Sequence, residues 1–242
     1  MAAYDKNDKC MICGGDHIYS ESVTRIQCMF CGEFFYTNLL CENGHYVCDD
    51  CHLERSLEMI TSVCGKTAKK EAVSIAYELM TNRWVKIHGR EHHYLVAAVL
   101  LTAFKNRGYG TAAMKSRFMA LLDEAKNRVM KIADNPCGYW GCAGEALGCG
   151  VFASLILNAT HMSVRERGDA NLITAKALEQ IAACGGPRCS KRDSFIAILT
   201  ASQFAAEHWQ TPLSDFETVE CIFYNKNADC IRERCPFFPE GS

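Results

Sequence analysis

Three Cys-x2-Cys pairs open the chain: Cys10 with Cys13, Cys28 with Cys31, and Cys48 with Cys51. Cys41 and His45 lie between the last two pairs and complete a group of soft ligands large enough for two tetrahedral zinc ions. A two-residue gap lets both thiolates of a pair face one metal, and the glycine after Cys13 and after Cys31 permits a tight turn around it. In a cross-brace, Cys28, Cys31, Cys48 and Cys51 close one site while Cys10, Cys13, Cys41 and His45 close the other. His17 and His52 compete with His45 for its place. The segment is too poor in large apolar residues to fold as an independent core without metal.

His88-Gly-Arg-Glu91-His92-His93 is a second concentration of ligands. His88 and His92 share one side of a helix that begins early enough, with Glu91 as base or further ligand. The metalloprotease order, in which Glu directly follows the first His, is absent. The plainer alternative has Glu91 at a helix amino terminus and the histidines packed in its first turn. Further on, Pro136-Cys137-Gly-Tyr-Trp-Gly-Cys142 joins a proline break, glycines and two thiols. A helix starting near Gly141 sets Cys142 at its amino terminus, where a thiolate is favoured as nucleophile, redox partner of Cys137 or ligand. The alternative is small residues that let two helices approach, which explains Gly144, Gly148 and Cys149 well.

Cys184-Gly-Gly-Pro-Arg188-Cys189-Ser-Lys191-Arg192 repeats the glycine turn with three cations close by. That setting suits a metal-binding thiolate or a small-molecule or anion ligand near Arg188, weighed against a solvated surface group. The tail carries Cys221, Cys230 and Cys235-Pro236, three cofactor-binding thiols with the Cys-Pro ending of iron-sulfur ligand runs. A closed four-cysteine site there needs a fourth ligand from Cys64, a histidine or a glycine-turn thiol.

Helices must position these groups. From about Leu57, apolar residues recur at three and four spacing in Ala72, Ile75, Ala76, Leu79 and Met80, and again in Phe118, Leu121, Leu122, Ala125 and Val129. Gly108 and Gly110 bound an apolar helix over Tyr94 to Phe104, Asn135-Pro136 stops the next, and Gly185-Gly186-Pro187 breaks the chain before Ser190 to Trp209. Strand signal is confined to Tyr19 to Gln27, Phe34 to Tyr36, Tyr46-Val47 and Val219 to Tyr224. The fold class is therefore mainly α: a small zinc-binding module of treble-clef or cross-brace type with short strands, then an all-helical domain. The expected division is 1–55 for the two-zinc module, 56–215 for the helical domain and 216–242 for a cysteine-rich tail packed on it.

The 242 residues carry Lys+Arg 26 against Asp+Glu 28, a formal charge of −2 that removes the argument for a broad phosphate-binding surface. Thiolates around two zinc ions make the acidic module more negative still, so nucleic acid is not the expected partner. The longest apolar runs are too short to span a bilayer. The start, Met1 to Lys9, lacks the apolar core of a signal peptide, so the 16 cysteines are expected as thiols in a reducing cytoplasm, where close spacing means metal or redox chemistry.

Cys41 to His52 resembles the core of cross-braced zinc modules of the RING and treble-clef type. The segments Gly44 to His52, His88 to His93, Cys137 to Cys142, Gly185 to Cys189 and Cys235-Pro236 together resemble an uncharacterised Cys-rich family of anaerobic bacteria and methanogenic archaea. That family's glycine turns often carry paired cysteines, whereas this chain has Cys142-Ala143 and Cys189-Ser190, which speaks against a mechanism needing vicinal thiols. The resemblance implies an anaerobe's thiol and metal protein and names no reaction. The expected function is a cytoplasmic metal-binding protein with structural zinc and a second Cys/His centre. There His88, His92, Cys137, Cys184 and Cys189 bind zinc, iron or an iron-sulfur cluster, and Glu91, Cys142 and Arg188 serve thiol, redox or transfer chemistry. The competing expectation is a zinc-stabilised adaptor for a protein partner in a larger redox or methyl-transfer assembly.

Overall fold

The run Glu91-His-His-Tyr-Leu-Val-Ala-Ala-Val-Leu-Leu-Thr-Ala103 has no polar face to offer water, and a helix of that kind must be enclosed by others. In the computed structural model, which describes residues 9–215 and 218–241, every one of these residues is buried. The helix they form, Glu91–Asn106, is surrounded by helices Asp49–Lys66, Ala72–Met80, Phe118–Val129, Gly144–Ile156 and Ser190–Trp209. In chain order the elements are β1 (His17–Gln27), β2 (Phe34–Cys41), α1 (Asp49–Lys66), α2 (Ala72–Met80), α3 (Glu91–Asn106) and α4 (Ala112–Ser116). There follow α5 (Phe118–Val129), α6 (Pro136–Trp140), α7 (Gly144–Ile156), α8 (Arg165–Cys184) and α9 (Ser190–Trp209). The described residues are thus mainly helical, with one small antiparallel sheet at the amino-terminal end. Residues 1–8, on which the expectation of no export leader rests, and residues 216, 217 and 242, which include the expected start of the tail, lie outside those described.

β1 and β2 form a hairpin with His17 opposite Cys41 and Gln27 opposite Phe34, its register shifting between Tyr19 and Thr24. The shift absorbs the extra length of β1, which presents Val23 outward on a bulge. The hairpin reaches α1 through Cys48, an extended residue that caps the helix, with Asp49 and Asp50 in the first turn where the dipole favours acids. α1 therefore starts eight residues before the expected Leu57 and runs unbroken across residue 55. Tyr46-Val47 forms no strand because it leads into that cap.

Two further expectations are corrected at the turns. Pro136 does not merely stop the preceding helix: α5 has ended at Val129, and Pro136 occupies the first turn of α6, where its missing N–H costs nothing. Gly141 then closes α6 with φ 64, so α7 begins at Gly144 and Cys142 falls in the short link before it. Val219 to Tyr224 is not a strand; the Cys221 N–H donates to the Phe237 carbonyl, folding the tail back on itself, and a 3-10 turn follows at Tyr224–Lys226. Among the described residues no helix is long and apolar enough to cross a membrane.

The core is continuous from Leu57, Ile60 and Cys64 of α1 through α3 to Phe152 of α7 and Phe195 and Phe204 of α9. α8 buries only Ile173 and Ala177 and covers the outside of α7 and α9. The first nine residues of α9, Ser190 to Ile198, are all buried although Lys191, Arg192 and Asp193 are charged. Burying such groups is costly unless each finds partners, so their surroundings define where chemistry can occur.

Candidate metal centres and a buried polar centre

The amino-terminal ligands gather at the two ends of the hairpin. Cys10 and Cys13 precede β1 and meet Cys41 and His45 at its open end; Cys28 and Cys31, in the β1–β2 turn, meet Cys48 and Cys51 at the start of α1. In each set the ligand atoms all lie within 4.8 Å of one another. The Cys13 and Cys41 sulfurs are 3.5 Å apart and those of Cys31 and Cys48 are 3.9 Å apart. A tetrahedron with Zn–S bonds near 2.3 Å has an edge of about 3.8 Å. His45 presents Nδ1, 3.8 Å from the Cys10 sulfur and 3.7 Å from that of Cys41. The residues present therefore fit two four-coordinate metal ions.

The backbone of each knuckle is built for this. Gly14 at φ 76 and Gly32 at φ 74 turn the chain so that their N–H groups reach the carbonyls of Cys10 and Cys28. Backbone N–H groups of Gly15 and Asn43 also point at the sulfurs of Cys13 and Cys41, and that of Cys48 at the sulfur of Cys28. The Asn43 amide, with the Gly15 N–H, brings Cys13 down to about 6. Burial pushes Cys28 up, but N–H donors from Cys48, Cys31 and Phe30 outweigh it and leave it at about 6. Burial instead raises Cys41, Cys48 and Cys51. Neighbouring thiols cannot all ionise beside one another unaided, and a dication in their midst removes the conflict.

His17 and His52 are in neither set. His52 is buried under Trp84, its ring centroid 6.1 Å away, and burial lowers its pKa to about 2. The same tryptophan carries the module onto the helical body: Phe30 packs against Trp84, Ser56 Oγ donates to the Trp84 carbonyl, and Lys86 pairs with Asp49 at 3.0 Å.

Among the described residues, His88, Glu91 and His92 belong to neither candidate metal group. α3 begins at Glu91, so His88 is left in the preceding loop, where Nε2 lies 3.2 Å from Asn227 Oδ1 and ties down the tail. Glu91 accepts the Lys86 N–H at 2.8 Å, and burial raises its pKa. His92 stands between Ser194 Oγ at 2.9 Å and the Lys86 carbonyl at 3.0 Å. These three residues fasten the loop before α3, and the tail, to α3 and α9.

A different set of groups meets where α3, α6, α7 and α9 begin. Glu145, in the first turn of α7, is 1 % exposed and its Oε1 has no hydrogen-bond partner. Burial, then the charge of Asp193, pushes its carboxyl up to about 7 against the pull of Ser190 and Arg188. Burial, then Glu145, raises the Cys137 thiol, with Arg188 acting against them; Cys142 is a further neighbour. His93 is lowered to about 4 by burial and by Arg188 and Arg90. Asp193 pairs with Arg192 at 2.9 Å. A carboxyl that exchanges its proton near neutral pH thus sits by a thiol and a guanidinium. Glu145, His93, Ser190 and Asp193 were not singled out from sequence, although an acid in the otherwise apolar Gly144 to Ile156 run was a visible signal.

Cys184 ends α8 and Cys189 caps α9, and both stand close enough to Arg192 for charge interaction. Cys189 shares a pocket with Cys221, Cys230 and Cys235 of the tail. Cys64 and Cys149 are ordinary core residues, fully buried; burial pushes Cys64 up to about 12 and raises Cys149 as well.

A family model described as a family of unknown function, DUF5714, matches residues 60–238. The matched span takes in the Glu145 group and the tail thiols and begins after the two amino-terminal ligand sets. No curated protein and no solved structure matches the chain.

Proposed function

The chain belongs to the DUF5714 family of unknown function, and on that premise we propose that it is a metal-binding thiol protein of a reducing, anaerobic cytoplasm. Two zinc ions hold the amino-terminal module in shape, and the helical body sets a buried carboxyl, Glu145, beside the exposed thiol of Cys137. The observation that carries the zinc assignment is ligand geometry: seven sulfurs and one imidazole in two sets of four, at separations near the edge of a zinc tetrahedron. Thiolate-rich sets select soft or borderline metals, and four protein ligands leave no position for substrate, so these ions are structural.

Around Glu145 the chain assembles the groups that a thiol-based transfer or redox step requires. Cys137 supplies a sulfur, Glu145 a proton acceptor that titrates near neutrality, and Arg188 a cation for an anionic substrate group. Metal analysis of the full chain, purified anaerobically without chelator, tests the zinc assignment. Two zinc ions per chain are expected, falling to one in Cys13→Ser and to one in Cys31→Ser. A native chain with fewer than two, or variants that keep both, overturns it.

One observation favours a second reading, an adaptor for a protein partner. The hairpin turns Ile18, Val23, Phe34 and Tyr36 to solvent, the last of them 76 % exposed. Under that reading, Val23→Ser with Tyr36→Ser abolishes cross-linking to the partner while both zinc ions stay bound.

A further inference from the structure

The α8–α9 turn and the tail meet around a second group of thiols, well away from the zinc ligands in sequence. Cys189, Cys221, Cys230 and Cys235 line one largely apolar pocket, with Phe223 and Phe237 among its walls. Three of them are held in the manner of the amino-terminal ligands. The Phe223 N–H reaches the Cys221 sulfur at 3.4 Å, the Arg232 N–H reaches that of Cys230 at 3.4 Å, and the Phe237 N–H bonds that of Cys235. Each donor lies two residues beyond its cysteine, as at Cys13 and Cys41. Cys189 accepts from the Arg192 backbone in the first turn of α9. Hydrogen bonds of this kind aim a sulfur and favour its anionic form.

What distinguishes this group is spacing. No three of its sulfurs come within 4.8 Å of one another, as those of the zinc sets do. A single tetrahedral ion needs sulfurs about 3.8 Å apart. A polynuclear cluster holds its thiolates further apart, because metals and bridging sulfides stand between them. Arg192 also lines the pocket and is 4 % exposed; its Nε pairs with Asp193 and its Nη2 donates to the Gly185 and Pro187 carbonyls, which leaves Nη1 without a hydrogen-bond partner. Lys191, another lining residue, places its ammonium 4.8 Å from the centre of the Phe223 ring. Four thiolates around a dicationic four-iron core form a net anion, for which neighbouring cations and N–H donors to sulfur are the fitting surroundings.

We infer that Cys189, Cys221, Cys230 and Cys235 are the ligands of a four-iron iron-sulfur cluster, with Arg192 donating to its sulfur. The closed four-cysteine set joins the tail to the start of α9, which gives the last segment of the chain its anchor. This site is independent of the zinc assignment, and its ligands lie within the family match.

The test is anaerobic purification of the full chain, with reconstitution by ferrous iron and sulfide where needed, followed by iron, zinc and acid-labile sulfide analysis and a visible spectrum. About four irons and four sulfides per chain, with broad sulfide-to-iron absorption, are the expected result. Cys230→Ser and Cys221→Ser each lose most of both while zinc content is unchanged. Cys184→Ser, outside the pocket lining, keeps them. Cys230 is in a loop and partly exposed, so retained helicity in its variant separates loss of a ligand from loss of the fold. A native chain that takes up no iron with sulfide, or a Cys230→Ser chain that keeps its full complement, overturns the inference. Absence of zinc would sink the amino-terminal assignment alone.

Discussion

Stripping metal from the native chain should unfold the amino-terminal module and leave the helical body standing. Between residues 9 and 48 the buried apolar side chains other than cysteine are Met11, Leu39 and Val47, with Ile12, Ile26, Phe35, Leu40 and Tyr46 only partly covered. At about 1.5–3 kcal/mol for each fully buried side chain, those three contribute roughly 5–9 kcal/mol. A structural zinc ion is worth about 10–16 kcal/mol in zinc-finger peptides, so two ions outweigh them severalfold. A two-stranded hairpin alone is marginal in water, and the side chains facing solvent here add nothing to its hold. Hydrogen exchange read by mass spectrometry, with and without a high-affinity chelator, gives the answer segment by segment. Peptides covering His17–Gln27 and Phe34–Cys41 should lose their protection in the metal-free chain, whereas those covering Glu91–Asn106 keep theirs. A hairpin as well protected after demonstrated metal loss as before would refute the reasoning.

Two further outcomes follow from the helical body. Glu145, raised to about 7, makes the folded chain hold a proton that the unfolded chain releases at its ordinary value of 4.5. Stability should therefore fall as pH rises through that interval and level off above it. The shift is worth about 3 kcal/mol, and Glu145→Gln should gain roughly 2–3 kcal/mol over native at pH 8 relative to pH 5 in urea unfolding. An unchanged difference would show that this carboxyl is not proton-linked to folding. Gly148 lets α7 approach α3 closely: a Cβ there would stand 2.6 Å from the His93 carbonyl oxygen and 3.1 Å from Val96 Cβ. Because the first obstacle is backbone, Gly148→Ala should cost about 1–3 kcal/mol, seen as a lowered thermal midpoint.

Which features could be read from sequence depends on how local their causes are. The Cys-x2-Cys pairs and the glycines after Cys13 and Cys31 foreshadow the metal knuckles, since turn geometry decides each within a few residues, and the alternating order of the ligands foreshadows the cross-brace. The apolar run of α3 similarly announces a central helix. The placement of His88 depended on one boundary: a start at Glu91 rather than a turn earlier separates it from His92 and gives each a different partner. Pro136 is compatible with both the end of one helix and the start of another, and only packing decides between them. The Glu145 group draws on α3, α6, α7 and α9, and Cys189 meets the tail thiols across a long stretch of chain, so no spacing rule could have joined them. Fold class was therefore legible, as was the first pair of sites, while the later groups needed the tertiary structure.

The central claim, that seven cysteines and His45 enclose two structural zinc ions, is tested most directly by X-ray absorption at the zinc edge of the native chain. The predicted spectrum is that of four-coordinate zinc with sulfur at about 2.3 Å and nitrogen at about 2.0–2.1 Å. Averaged over the two sites, sulfur should outnumber nitrogen seven to one, as the ligand sets dictate. In His45→Ala the nitrogen contribution should vanish while sulfur remains. A coordination sphere rich in oxygen or nitrogen, or one unchanged by the His45 substitution, would contradict the account.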